Sequence, residues 1–267
     1  MSSLLITNGH LVTLDEEDRF IERGNIYVED HRVVEVGTFP ADKYPAERVV
    51  DASGNLVMPG LINAHHHLYS TFARGFSPPG PPPRNFKDVL ENLWWKLDRA
   101  LEYEDVYYSA LLAIMHAARA GCTTIIDHHA SPSCCEGSLD QIERAFRDVG
   151  LSGCLCYEVS DRNRDGEGIE ENARYIRKCR DAEDGQMSAL FGLHALMTLG
   201  TRTLQQCAEI GHELGAGFHV HAAEDEIDVQ VTMERYQRRI MDRFLDFGIP
   251  GEKTVFVHGI HFEGREM

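Results

Sequence analysis

The chain has no C-x-x-C pair, no basic excess and no apolar run of the ~18 residues that a membrane-spanning helix requires. Its seven cysteines are odd in number, which argues against a disulfide framework and fits a reducing compartment. Lys and Arg total 26 against 43 Asp and Glu, a formal net charge of -17. Such an excess repels a phosphate backbone and an anionic membrane surface, so neither nucleic acid nor membrane is an expected partner. The start, Met1 to Asn8, lacks the basic region of a signal peptide and soon meets the acidic Asp15-Glu16-Glu17-Asp18. A soluble cytoplasmic protein acting on a small molecule is the expectation.

What is present falls into two regions. Residues 1–55 read as short strands and turns, Leu4 to Leu14, Asn25 to Val28 and Val33 to Val36, the last two joined through Glu29 to Arg32 as a hairpin. From 56 to 267 apolar β-rich runs alternate with amphipathic helical segments, the pattern of a parallel sheet with crossover helices. Six strands are expected: Leu56 to Asn63, Cys122 to Asp127, Gly153 to Val159, Ser188 to Leu193, Gly217 to His221 and Thr254 to His258. Helices are expected over Tyr103 to Ala120, Leu139 to Val149 behind a Ser138/Gln141 capping box, Thr201 to Leu214 and Val229 to Phe247. The run Ser77 to Pro83 reads as a rigid loop between a strand and a helix.

Chemistry concentrates at strand ends. In Met58-Pro59-Gly60-Leu61-Ile62-Asn63-Ala64-His65-His66-His67 an apolar strand runs into histidines, and residues i and i+2 share a face. His65 and His67 can therefore offer two imidazoles to one cation while His66 points away, although two ligands alone do not make a metal site. Phe218-His219-Val220-His221-Ala222-Ala223-Glu224 places His221 as a third nitrogen and Glu224 above the open position, where a carboxylate can take and return a proton. His219 shares the face of His221 one layer deeper and reads as a core histidine. The apolar strand Thr254 to Val257 ends in His258. All three elements would end at one edge of a parallel barrel, where the active sites of such barrels lie.

Together, Pro59 to Leu68, His221-Ala222-Ala223-Glu224 and Val257-His258-Gly259 resemble the signatures of the amidohydrolase superfamily, in its cytosine deaminase-like, chlorohydrolase-related branch. Asn92 to Leu101 and Ile126 to Pro132 resemble one aminohydrolase member of that branch, and the likeness extends over essentially the whole chain. The resemblance implies a TIM-type (β/α) barrel with a small N-terminal β-sandwich. It implies that His65, His67 and His221 bind one divalent metal, usually zinc with ferrous iron as the alternative. Glu224 would then shuttle the proton, His258 would orient water or substrate, and His194, in Gly192-Leu193-His194-Ala195, would touch substrate. The implied reaction is hydrolysis of a carbon–nitrogen bond outside a peptide, deaminating a purine, pyrimidine or triazine-like ring, and relatives of this architecture are often dimers.

Two departures stand out. His194-Ala195-Leu196-Met197-Thr198 lacks the family's proline, and no residue matches the eighth-strand aspartate, since the chain stops at Met267. An incomplete barrel, poorly active by itself, is therefore expected. Cyclic-amide hydrolysis, displacement of a ring halide and an inactive fragment stay open as alternatives. Arg74 is a candidate for an anionic or carbonyl group of substrate, and Trp94 for stacking on a planar ring. Trp95, its helical neighbour, should face another way. His128 and His129 are expected to support the site or its loop rather than bind metal. Cys134 and Cys135 read as ordinary thiols, and Pro132-Ser133-Cys134-Cys135 lacks the spacing of nucleic-acid-editing zinc deaminases.

Overall fold

A computed structural model describes residues 2–77, 80, 82–182 and 184–267. Pro78, Pro79 and Pro81 lie outside the described residues, and with them most of the expected rigid proline loop. In β1 (Ser3–Val12), Leu5, Thr7, Gly9 and Leu11 are buried in strict alternation, the period-2 pattern of a strand with one face inward. β1 pairs antiparallel with β2 (Phe20–Glu29), which forms a hairpin with β3 (Arg32–Gly37) through Asp30 at a φ of 53°. β4 (Arg48–Asp51) and β5 (Leu56–Val57) join β1 in parallel. The order is β3-β2-β1-β4 with β5 also against β1, one five-stranded mixed sheet around Leu5, Tyr27 and Phe39.

This compact unit comprises Met1–Leu61, and a second comprises Ile62–Met267. The division falls beyond residue 55 because β5 hydrogen-bonds to β1. The expected strand Leu56 to Asn63 is accordingly two strands, β5 and β6 (Leu61–His66), separated by Met58-Pro59-Gly60. Proline has no N–H to give a ladder, so pairing stops there.

In the second unit β6, β7 (Cys122–His129), β8 (Ser152–Tyr157) and β9 (Met187–Ala189) follow one another in a sheet, and β10 (Phe191–Leu193), β11 (Phe218–Ala222) and β12 (Val255–His258) form another. The pairs β7–β8, β8–β9, β10–β11 and β11–β12 are parallel, and a parallel bridge from Val159 to Leu193 links the two sheets. The expected strand Ser188 to Leu193 breaks because its backbone changes partner: the Leu190 N–H donates to the Leu155 carbonyl, the next N–H, of Phe191, to that of Gly217. Gly192 is required at this junction, since a Cβ there would lie 2.2 Å from the Tyr157 carbonyl oxygen.

The helices are α1 (Phe86–Val89), α2 (Trp95–Ala100), α3 (Tyr103–Arg119), α4 (Ser138–Val149), α5 (Ile169–Ala182), α6 (Thr201–Glu213), α7 (Glu226–Tyr236) and α8 (Ile240–Asp246), with a π-helical turn Leu90–Trp94 between the first two. Among the described residues no helix is long and apolar enough to cross a membrane. The Ser138 capping box does not form. Ser138 Oγ donates to the Cys135 carbonyl, and the Glu171 carboxylate, from α5, accepts the N–H groups of Gly137 and Leu139 instead. The expected helix Val229 to Phe247 is two helices, α7 and α8, separated at Gln237, which adopts the left-handed φ of 54° that ends a helix. Buried Phe191, Phe218, Val220, Leu204 and Phe244 form one core cluster, and Ile125, Leu139, Phe146, Leu155 and Tyr157 belong to another.

Candidate active site

The C-terminal ends of β6, β11 and β12 bring His65, His67, His221, Glu224 and His258 to one cavity of about 380 Å³. His194 and Trp94 line it too. Arg74 does not: it is exposed, at the end of the 3-10 turn Leu68–Ala73. His66, expected to point away, is also in the lining, because the strand ends there and strict alternation ends with it. Trp94 and Trp95 both face the cavity, since they sit where the π-helical turn hands over to α2 and the regular helical rotation is interrupted.

The nitrogens of the cluster are arranged as electron-pair donors. His67 Nδ1 lies 2.7 Å from the His128 carbonyl oxygen and must donate to it, which leaves the electron pair on Nε2. That Nε2 is 3.1 Å from His221 Nε2. His65, His221 and His258 each offer a ring nitrogen within 4.8 Å of the others. Burial holds His65 down at about 3 and pushes His67 and His221 down as well, so the imidazoles are neutral and free to ligate.

Backbone strain aims the two remaining groups. Ala223 and His258 hold left-handed φ values of 49° and 77°, rare for residues with a Cβ. Asp228 supports the first by accepting the Ala223 N–H at 3.1 Å, while its other oxygen accepts the Met197 N–H at 2.8 Å. One side chain from α7 thus fixes the loops after β10 and β11. Glu224 Oε2 then lies 3.5 Å from His258 Nε2. Burial first, and the carboxylates of Asp225, Asp228 and Glu158 after it, raise the Glu224 carboxyl to about 7. His194 Nδ1 is 2.6 Å from Thr198 Oγ1, and Nε2 faces Glu158 at 3.9 Å.

Part of the lining escaped the sequence analysis. Asp98 and Glu158 line the cavity, and Arg162 pairs with both, at 3.0 Å to Asp98 and in a closer contact to Glu158. The side chains are only 1%, 5% and 8% exposed, for Asp98, Glu158 and Arg162 in turn, and the guanidinium lies over the Trp95 ring. Glu158 had one readable signal, its place just past the end of β8. His128 and His129 are fully buried beneath the histidine cluster. His219 is buried as expected, with Nε2 3.4 Å from His65 Nδ1 and Nδ1 2.8 Å from His128 Nδ1. Cys134 is a buried thiol directed at the Leu101 carbonyl.

A family model described as the amidohydrolase family matches residues 56–267. The chain belongs to the amidohydrolase family. Among similar curated proteins, a 5'-deoxyadenosine deaminase of Methanosarcina barkeri is 28% identical over 97% of this amidohydrolase and 57% of the relative. A 5-methylthioadenosine/S-adenosylhomocysteine deaminase of Desulfitobacterium hafniense is 29% identical over 100% of the chain and 60% of the relative. The chain thus spans about three fifths of the length of these curated relatives. Among solved structures, an adenosine deaminase from Xanthomonas campestris with bound zinc superposes with a TM-score of 0.83 at 22% identity, covering 96% of the chain and 57% of the neighbour. An atrazine chlorohydrolase from Arthrobacter aurescens complexed with zinc gives 0.81 at 18% identity over 96% and 60%. These neighbours bear on the mixed α/β fold of this amidohydrolase.

Proposed function

We propose that this amidohydrolase is a metal-dependent deaminase of an aminated nitrogen heterocycle, with His65, His67 and His221 holding one divalent cation, zinc before ferrous iron. The parallel strands are read as staves of a TIM-type (β/α) barrel, and the N-terminal five-stranded sheet as one layer of a small β-sandwich. The donor set fits such an ion. The His67 tautomer leaves a free electron pair on Nε2, and His65 and His221, together with His258, each offer a ring nitrogen within 4.8 Å of the others. A cation held there supplies Lewis acidity, which brings deprotonation of water within reach of neutral pH.

The observation that carries the proposal is the placement of Glu224, which lines the cavity beside the histidine cluster with Oε2 3.5 Å from His258 Nε2, where a carboxylate can take and return a proton. Glu224 takes a proton from the attacking water and returns it to the substrate. Water's oxygen bonds to the amine-bearing ring carbon, the carbon–nitrogen bond breaks, and nitrogen leaves as ammonia. His258, neutral because burial lowers its pKa, stands 3.5 Å from Glu224 and stabilises the tetrahedral centre. His194 presents Nε2 to the ring and Trp94 an aromatic face. The names of the relatives, deaminases of adenosine derivatives, favour an aminopurine. An assay for released ammonia over aminated purines, pyrimidines and triazines tests the reading. Ammonia is expected from an aminopurine, and release of halide or a new carboxylate in its place would overturn deamination.

A further inference from the structure

Beneath the cluster, His219 and His128, which the deaminase chemistry does not use, continue a line of imidazoles from His65. His65 Nδ1 lies 3.4 Å from His219 Nε2, His219 Nδ1 lies 2.8 Å from His128 Nδ1, and His128 Nε2 lies 3.8 Å from Glu158 Oε2. His219 and His128 are fully buried, and His128 Nε2 has no hydrogen-bond partner among the described residues. A neutral imidazole has one N–H and one electron pair, so each contact along the line fixes the next. The line can therefore run in one of two directions, and they differ at His65, leaving its electron pair on Nε2 or on Nδ1.

The anion at the far end selects between them. An electron pair on His128 Nε2 would face the Glu158 carboxylate across dry protein, where repulsion is little screened, whereas an N–H there is attracted. With the proton on Nε2, His128 Nδ1 accepts from His219 Nδ1–H. His219 Nε2 then accepts from His65 Nδ1–H. His65 is left with its electron pair on Nε2, the nitrogen not engaged by His219. His219 Nδ1 and His128 Nδ1, 2.8 Å apart, stand at a hydrogen-bond separation.

We infer that His219 and His128 are positioning residues, directed by the Glu158 carboxylate, that lock His65 in the Nδ1–H tautomer and so prepare its Nε2 for the metal. The inference rests on the reading of His65 as a ligand. Partners that orient ligating histidines commonly matter by about 10–100-fold in metal affinity. The test is a nitrogen-15 correlation spectrum of the imidazoles in metal-free protein, together with zinc affinity measured by chelator competition. A His65 ring protonated at Nδ1 is expected in the wild type, and protonation at Nε2 there overturns the inference without any variant having to fold. His219→Leu should give a mixture of His65 tautomers and zinc binding weaker by about 10–100-fold. His219→Gln, which can accept from His65 and donate to His128 through its amide, should recover most of both. Unchanged tautomer and zinc affinity in His219→Leu would likewise overturn the inference. Loss of the deaminase reading alone would appear differently, as an intact tautomer and zinc site without ammonia release.

Discussion

One part of the cavity lining is neutral and rich in nitrogen, the other is charged and ion-paired. His65, His67, His221 and His258 stand at the ends of three strands, where burial removes their charge and leaves electron pairs. Asp98 and Glu158 are buried more deeply than His65, His67 and His258, and they are paired with Arg162, one guanidinium between two carboxylates. Burial thus has opposite consequences in the two parts. It favours neutral ligands at the strand ends, and it makes a single cation indispensable where two anions converge.

The comparison can be broken at either part. The largest effect is expected from Glu224→Gln, which keeps the shape but cannot carry the proton: turnover should fall by about 10²–10⁴-fold while metal content is unchanged, as seen by ammonia release and metal analysis of one preparation. Next, Arg162→Leu leaves Glu158 and Asp98 as uncompensated buried charges and should destabilise the fold by about 3–5 kcal/mol in urea unfolding. Asp98→Asn sharpens the contrast through pH. Burial is the leading cause that raises the Asp98 carboxyl to about 6 from 3.8, outweighing the opposing pull of Arg162. The folded protein therefore holds this proton more tightly than the unfolded chain, so the contribution of Asp98 to stability falls as pH rises from about 4 to 6 and is level above that. Urea midpoints across this range should lose that slope in Asp98→Asn. The smallest effect, about 1 kcal/mol, is expected from Trp95→Leu, which removes the ring beneath the Arg162 guanidinium.

The same contrast explains what the sequence made legible. His65, His67, His221, Glu224 and His258 could be read because each follows an apolar strand, so local pattern alone placed them at one edge. The salt-bridged part is assembled from α2, the residue after β8 and a loop, positions 64 residues apart between Asp98 and Arg162, and no local period links them. Arg74 was misplaced for the converse reason: a loop after a strand does not reveal which way its side chain turns. Among the elements, the breaks at Pro59-Gly60 and Gln237 and the change of partner at Leu190 divided runs that hydropathy reads as continuous. The capping of α4 by Glu171 was equally hidden, since it depends on a neighbouring helix.

Whether the neutral histidines form the metal site is read from the zinc content of the purified protein compared with His67→Ala and His221→Ala. One zinc per chain is expected in the wild type and in Glu224→Gln, and its loss from both histidine variants. Zinc retained in full by His221→Ala would contradict it.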